Sequence, residues 1–143
     1  MESGLQFLAI FSCAIFAGAA LYINLVEHPA RMKCDLKVAL AEWIPSYKKA
    51  TFMQAPLALV GSLAAVTAWL MGADMAWLIG GLLLGSVIPY TFIWVMPTNK
   101  RLLSQDPAKL SADLGYYLQR WNVLHLVRSI FSISALIIFL LNR

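Results

Sequence analysis

"MAWLIGGLLLGSVIPYTFIWVM", Met75 to Met96, runs its whole length without one charged side chain. A helix crossing the hydrocarbon of a bilayer needs roughly 20 such residues. Three more stretches match it: "LQFLAIFSCAIFAGAALYINLV" from Leu5, "FMQAPLALVGSLAAVTAWLMGA" from Phe52, and "VLHLVRSIFSISALIIFLL" from Val123. Backbone groups in lipid have no water to pair with, so these segments are read as helices. Composition agrees. Of 143 residues 61% are hydrophobic and only 13% charged, against about 45–50% and about 25% in ordinary soluble domains. The expectation is an all-α, integral membrane four-helix bundle, one domain over 1–143, with helices near 5–26, 52–73, 75–96 and 121–141.

The charges set an expected orientation. Arg31, Lys33, Lys37, Lys48 and Lys49 follow the first helix, and Lys100, Arg101, Lys109 and Arg120 follow the third; the second turn holds only Asp74. The positive-inside rule makes the two long loops cytoplasmic and puts both termini on the other side. The net charge of +4 is then loop positivity beside lipid headgroups, and no aromatic-interleaved basic run suggests nucleic acid. The first stretch makes a poor signal peptide, since "MESG" is no basic n-region. Cys13 falls mid-membrane and Cys34 in a loop, too far apart for a disulfide.

Both long loops carry amphipathic helical patterns. Met32, Leu36, Ala39 and Trp43 recur at helical spacing, and the pattern predicts a short interfacial helix ended by Pro45. In the second loop Asp106 and Pro107 read as cap and first turn of a helix that continues into the fourth span. Gly81 and Gly85 form a GxxxG on the third helix. Its expected use is packing inside the bundle, with contact between copies in a homo-oligomer as the alternative.

Up-and-down threading gathers the polar residues at the long-loop end. The first helix ends with Asn24, Glu27 and His28, and the third with Thr91 and Asn99. The fourth begins with Trp121, Asn122, His125 and Arg128, and the spacing of Trp121, His125 and Arg128 puts them on one helix face. Tyr47 and Gln54, where the second helix is entered, read as mainly structural. Polar groups inside a membrane are usually functional, so a pocket facing helices one and three is expected, with Glu27 and Asn99 completing it. Arg128 at that depth needs a partner, and Glu27 is the expected one.

The blocks "MPTNKRLL" and "RWNVLHLVRS" resemble the anthrone oxygenase-like family of small four-helix membrane proteins, through Pro97, Asn99 and Leu102, then Trp121, His125 and Arg128. "YINLVEHPARM" looks like a branch carrying Glu-His-Pro after the first helix. The resemblance implies oxidation of a hydrophobic phenolic compound by molecular oxygen, with no cofactor required. Such chemistry needs a base near neutral pKa and donors for an enolate oxygen. His125 suits the base. Arg128, Asn122 and Asn99 suit the enolate, Glu27 suits orientation or charge balance, and Trp121 suits an aromatic wall. His28 and Asn24 complete the expected binding set. Two other classes stay open: a metal or haem protein, with His28 and His125 on a b-type haem or His28, His125 and Glu27 on a divalent metal, and a non-catalytic protein, either a scaffold for a lipid, a quinone or another small hydrophobic ligand or a small transporter.

Overall fold

The computed structural model describes all of Met1–Arg143. Its elements are α1 (Glu2–Tyr22), a π-helical turn (Ile23–Glu27), α2 (His28–Arg31), α3 (Leu36–Leu70), α4 (Met75–Tyr90), a second π-helical turn (Thr91–Val95), α5 (Met96–Leu103) and α6 (Leu114–Leu141). They join into four spans, Glu2–Arg31, Leu36–Leu70, Met75–Leu103 and Leu114–Leu141, each long and apolar enough to cross a bilayer. The protein is therefore an integral, multi-pass membrane protein. α1 and α4 each pack against both α3 and α6, so the helices form a ring in chain order. Phe7, Phe11, Leu63, Leu82, Ile130 and Ile137 point outward and are exposed, as lipid-facing side chains of a spanning bundle should be.

The second span is longer than the sequence pattern suggests. Pro45 does not end a separate interfacial helix. α3 passes through both Pro45 and Pro56 as one helix of 35 residues, roughly 52 Å against the ~30 Å of a hydrocarbon core. A proline inside a helix costs about 3 kcal/mol. Burial of Leu40 and Trp43, each at most 1% exposed, against Leu114, Leu118 and Trp121 offsets that. Fully burying one large apolar side chain stabilises by about 1.5–3 kcal/mol.

The second long loop differs in the opposite sense. Pro107 starts no helix. Asp106 Oδ1 accepts from the Ala108 amide at 2.8 Å, and the Gln105 side-chain oxygen accepts from the Ser111 hydroxyl at 2.7 Å. These short-range bonds hold turns, and α6 begins only at Leu114, where the first side chain is fully buried.

Small residues close the bundle. A Cβ on Gly81 would meet Ala65 at 3.1 Å, and one on Gly85 would meet the Ser62 hydroxyl at 2.5 Å. The GxxxG thus seats α4 on α3 within one chain. At the short turn Gly72 has φ +110°, which favours glycine, and Asp74 Oδ1 caps α4 by accepting from Ala76 N at 2.8 Å. Two apolar cores result: one includes Cys13, Phe16, Trp77 and Phe139, the other Trp43, Leu102, Leu118 and Trp121. Cys13 is buried and Cys34 exposed, both as free thiols.

Candidate functional site

Where the two cores meet, the first and third spans leave α-helical geometry. Each π turn is followed by one residue and then a proline, Pro29 or Pro97. Proline has no N–H to donate and crowds the carbonyl four residues earlier. A wider turn just before it removes that conflict, and such turns mark functional positions in many helices. In the first span the widened turn carries Asn24, only 6% exposed, toward α6.

Asn24 organises a buried network. Its Nδ2 donates to the backbone carbonyl of Asn122 at 3.0 Å and to Asn122 Oδ1 at 2.7 Å. Its Oδ1 accepts from the Ser129 hydroxyl at 2.6 Å and lies 2.9 Å from His125 Nδ1. The Asn122 carbonyl can only accept, which fixes the orientation of the Asn24 amide. Asn24 Oδ1 can therefore only accept too, so His125 Nδ1 carries the proton. The lone pair of neutral His125 is left on Nε2.

His28 has the opposite arrangement. An Arg31 guanidinium nitrogen lies 3.1 Å from His28 Nδ1, and arginine only donates. The His28 proton of the neutral ring therefore sits on Nε2, which is buried without a hydrogen-bond partner. Trp121 packs against both imidazoles, with ring centres 5.6 Å from His28 and 4.9 Å from His125. It meets Trp43 edge-on at 5.7 Å.

The expected ion pair between Glu27 and Arg128 is not formed. Glu27 and Glu42 both pair with Arg31, a turn further along the same span, and the Ser46 hydroxyl donates to Glu27 at 2.5 Å. Arg128 instead donates from Nη2 to Gln54 Oε1 at 3.0 Å and lies over the Phe16 ring, 5.5 Å from its centre. A neutral amide and an aromatic face replace the carboxylate, so the guanidinium keeps its charge uncompensated in the interior.

These side chains enclose a chamber of about 10 Å³, room for about one water. Trp121, His125 and Arg128 form its α6 wall, Glu27 and Arg31 its first-span wall, and Gln54 belongs to its α3 wall. Four lining residues carry buried donors with no protein partner: Trp43 Nε1, Gln54 Nε2, Trp121 Nε1 and Arg128 Nε. Next to it lies an apolar cavity of about 90 Å³, and Tyr47, Thr51 and Arg128 line both spaces.

The other expected site residues stand elsewhere. Asn99 is fully buried on α5 with both amide atoms unpartnered, and it lines neither space. Asn24 and Asn122 act behind His125, and His28 behind Trp121. Tyr47 and Gln54, read as structural from sequence, are chamber walls. Arg31, Ser46 and Thr51 also line the chamber, and Ser129 bonds to Asn24 behind it; none of the four stands out in the sequence. The i, i+4 spacing of Glu27 and Arg31 was the one sequence signal available for them. No group of three His, Cys, Asp or Glu side chains comes together to hold a metal, so the set of His28, His125 and Glu27 is not assembled as ligands.

A sequence model of the anthrone oxygenase family matches residues 43–138. The α3 and α6 walls of the chamber fall inside that region, the first-span wall before it. The chain is also 28% identical, over 138 residues, to anthrone oxygenase dmxR16 of Cryptosporiopsis sp. (strain 8999), an alignment covering 91% of this chain and 80% of that protein. No solved structure matches.

Proposed function

This chain belongs to the anthrone oxygenase family, and from that premise we propose that it oxygenates a flat, hydrophobic, anthrone-like compound in the chamber at the long-loop end of its bundle. The family relation supports an oxygenase. The substrate class and the residue roles are our reading of the geometry.

The observation that carries the reading is the pairing of one free base with several free donors. His125 Nε2 holds a lone pair beside the chamber, because Asn24 occupies Nδ1. Arg128, Trp121 and Gln54 bring unpartnered N–H groups to the same walls. An anthrone has a methylene between two aromatic rings and a ketone opposite. His125 Nε2 removes one methylene proton, and the negative charge moves to the ketone oxygen as an enolate. Donors already in place stabilise such a charge without reorganising, and in a dry site each counts for more than in water. Arg128 is the principal one, since its charge has no carboxylate partner.

The carbanion form then gives its electrons to molecular oxygen. A C–O bond forms, and the peroxide takes a proton. The remaining C–H proton and the outer oxygen leave as water when the O–O bond breaks, giving the quinone carbonyl. One substrate and one O₂ give one quinone and one water, with no further reductant. Trp121 supplies a flat wall for the rings. Asn24 and Ser129 are positioning residues that act through His125.

The test is oxygen uptake by purified protein in nanodiscs supplied with anthrone. The reading expects one O₂ consumed per anthraquinone formed, at a rate above spontaneous oxidation and unchanged by prior dialysis against a chelator. Tight binding of anthrone without oxygen uptake would instead identify a carrier. Loss of uptake on dialysis would identify a metal-dependent enzyme.

A further inference from the structure

The chamber is far too small for a tricyclic molecule, so the rings must lie in a neighbouring space. Three adjoin it. One is the 90 Å³ cavity between α3 and α4, which shares Tyr47, Thr51 and Arg128 with the chamber. Another is a groove of about 370 Å³ between the first span and α3, which shares Ile23, Glu27, Ser46, Ala50 and Gln54 with it. The third, about 330 Å³, shares only Glu27 and Arg31 with it and has Glu42 on its lining, so charged groups stand between it and the chamber.

Their chemistry differs. The groove has apolar sides too, Ala19, Ile23, Ala50 and Met53, but Glu27 and the exposed Lys49 put a carboxylate and an ammonium on its lining. The cavity carries no carboxylate. Phe16, Val87, Ile88 and Phe92 form its apolar sides, Ala55 and Ala58 leave room between them, and its one charge is Arg128 at the chamber end. Its outer rim lies on the lipid-facing surface, where Phe92 is 66% exposed and Thr51 and Ala55 are exposed. The second π turn, Thr91–Val95, begins at this rim, with Thr91 and Phe92 on the lining.

We propose that the substrate enters sideways from the bilayer between α3 and α4, and that its apolar rings lodge partly in this cavity and partly at its open, lipid-facing rim, beside Arg128 and the chamber. The proposal rests on the reading above for the identity of the ligand. The route itself follows from continuity, lining and rim. A hydrophobic ligand concentrates in the bilayer, and an opening at that depth spares it a passage through water. The groove past Glu27 and Ser46 is left to water and protons.

The test uses an anthraquinone carrying a diazirine, added to protein in lipid nanodiscs, irradiated, and located by mass spectrometry. Adducts are expected on residues 51–58 and 87–96, competed by excess plain anthraquinone. Ala55→Trp, which fills the cavity, should lower them at least ten-fold. Ala19→Trp, which fills the groove, should leave them unchanged. Circular dichroism checks each fold, and Ala55→Leu serves if the tryptophan variant does not fold. Adducts confined to the groove, adducts that plain anthraquinone does not compete, or loss in Ala19→Trp with retention at Ala55→Trp would each overturn the proposal, as would no adducts at all. Competed adducts at 51–58 and 87–96 without oxygen uptake from anthrone support the route while the oxygenase reading fails, so the two can fail separately.

Discussion

At the scale of single residues, Asn24 fixes the tautomer and orientation of His125. Its carbonyl accepts from two donors, and its amide is held by Asn122. The two neutral imidazoles should therefore be opposite tautomers: Nδ1–H for His125 and Nε2–H for His28. ¹⁵N NMR of histidine-labelled protein checks this directly, and two identical tautomer patterns would refute it. Asn24→Leu should leave a helical protein that is less stable by about 1–3 kcal/mol, the cost of stranding buried hydrogen-bonding groups, with slower turnover because the ring loses its orientation. The check is a thermal melt beside a rate measurement. Arg31 joins Glu27, Glu42 and His28 on the far side of Trp121. Arg31→Met should destabilise by about 1–3 kcal/mol, the cost of the charged hydrogen bonds it makes, since Glu27 and Glu42 both stay in reach of water.

At the scale of elements, the prolines explain both what a reader of the sequence can find and what stays hidden. Pro29 and Pro97 announce an interruption near each long-loop end, but only the folded chain shows that it takes the form of a π turn and that Asn24 is thereby turned onto α6. Pro45 misleads, because propensity argues for a stop while the burial of Trp43 and Leu40 continues the helix. The face shared by Trp121, His125 and Arg128 is legible from spacing alone. The partner of Arg128 is not, because threading brings Glu27 to the right depth but cannot say whether Arg31, on the same helix, reaches it first. Asn99 stands out in the sequence equally well, yet on α5 it lines neither the chamber nor the cavity. Pro29→Ala should keep or raise thermal stability and lower activity, since it removes the reason for the π turn that aims Asn24. Melting and turnover measured on one preparation check this. Gly80 is a different case: a Cβ there would run into the Phe139 ring. Gly80→Leu should therefore lose the folded bundle or cost more than the ~1–3 kcal/mol typical of overpacking, whereas Gly18→Ala, with nothing within 4 Å, should melt as wild type does.

At the scale of the whole molecule, four helices in a ring build two apolar cores, and His125 and Arg128 stand where these meet. The positive-inside pattern leads us to propose that this level lies near the cytoplasmic leaflet. Reporters at Met1 and Arg143 should both signal from the opposite compartment, and a cytoplasmic signal from both would reverse the placement. The central claim is that His125 acts as a base beside donors that hold an enolate. Its most direct test compares wild type with His125→Gln, measuring anthrone binding and oxygen uptake on the same nanodisc preparation. Glutamine keeps hydrogen bonding but cannot take a proton near neutral pH. The expected result is retained binding with turnover lower by about 10²–10⁴-fold, the range of a lost general base. Turnover by His125→Gln at the wild-type rate would contradict the account.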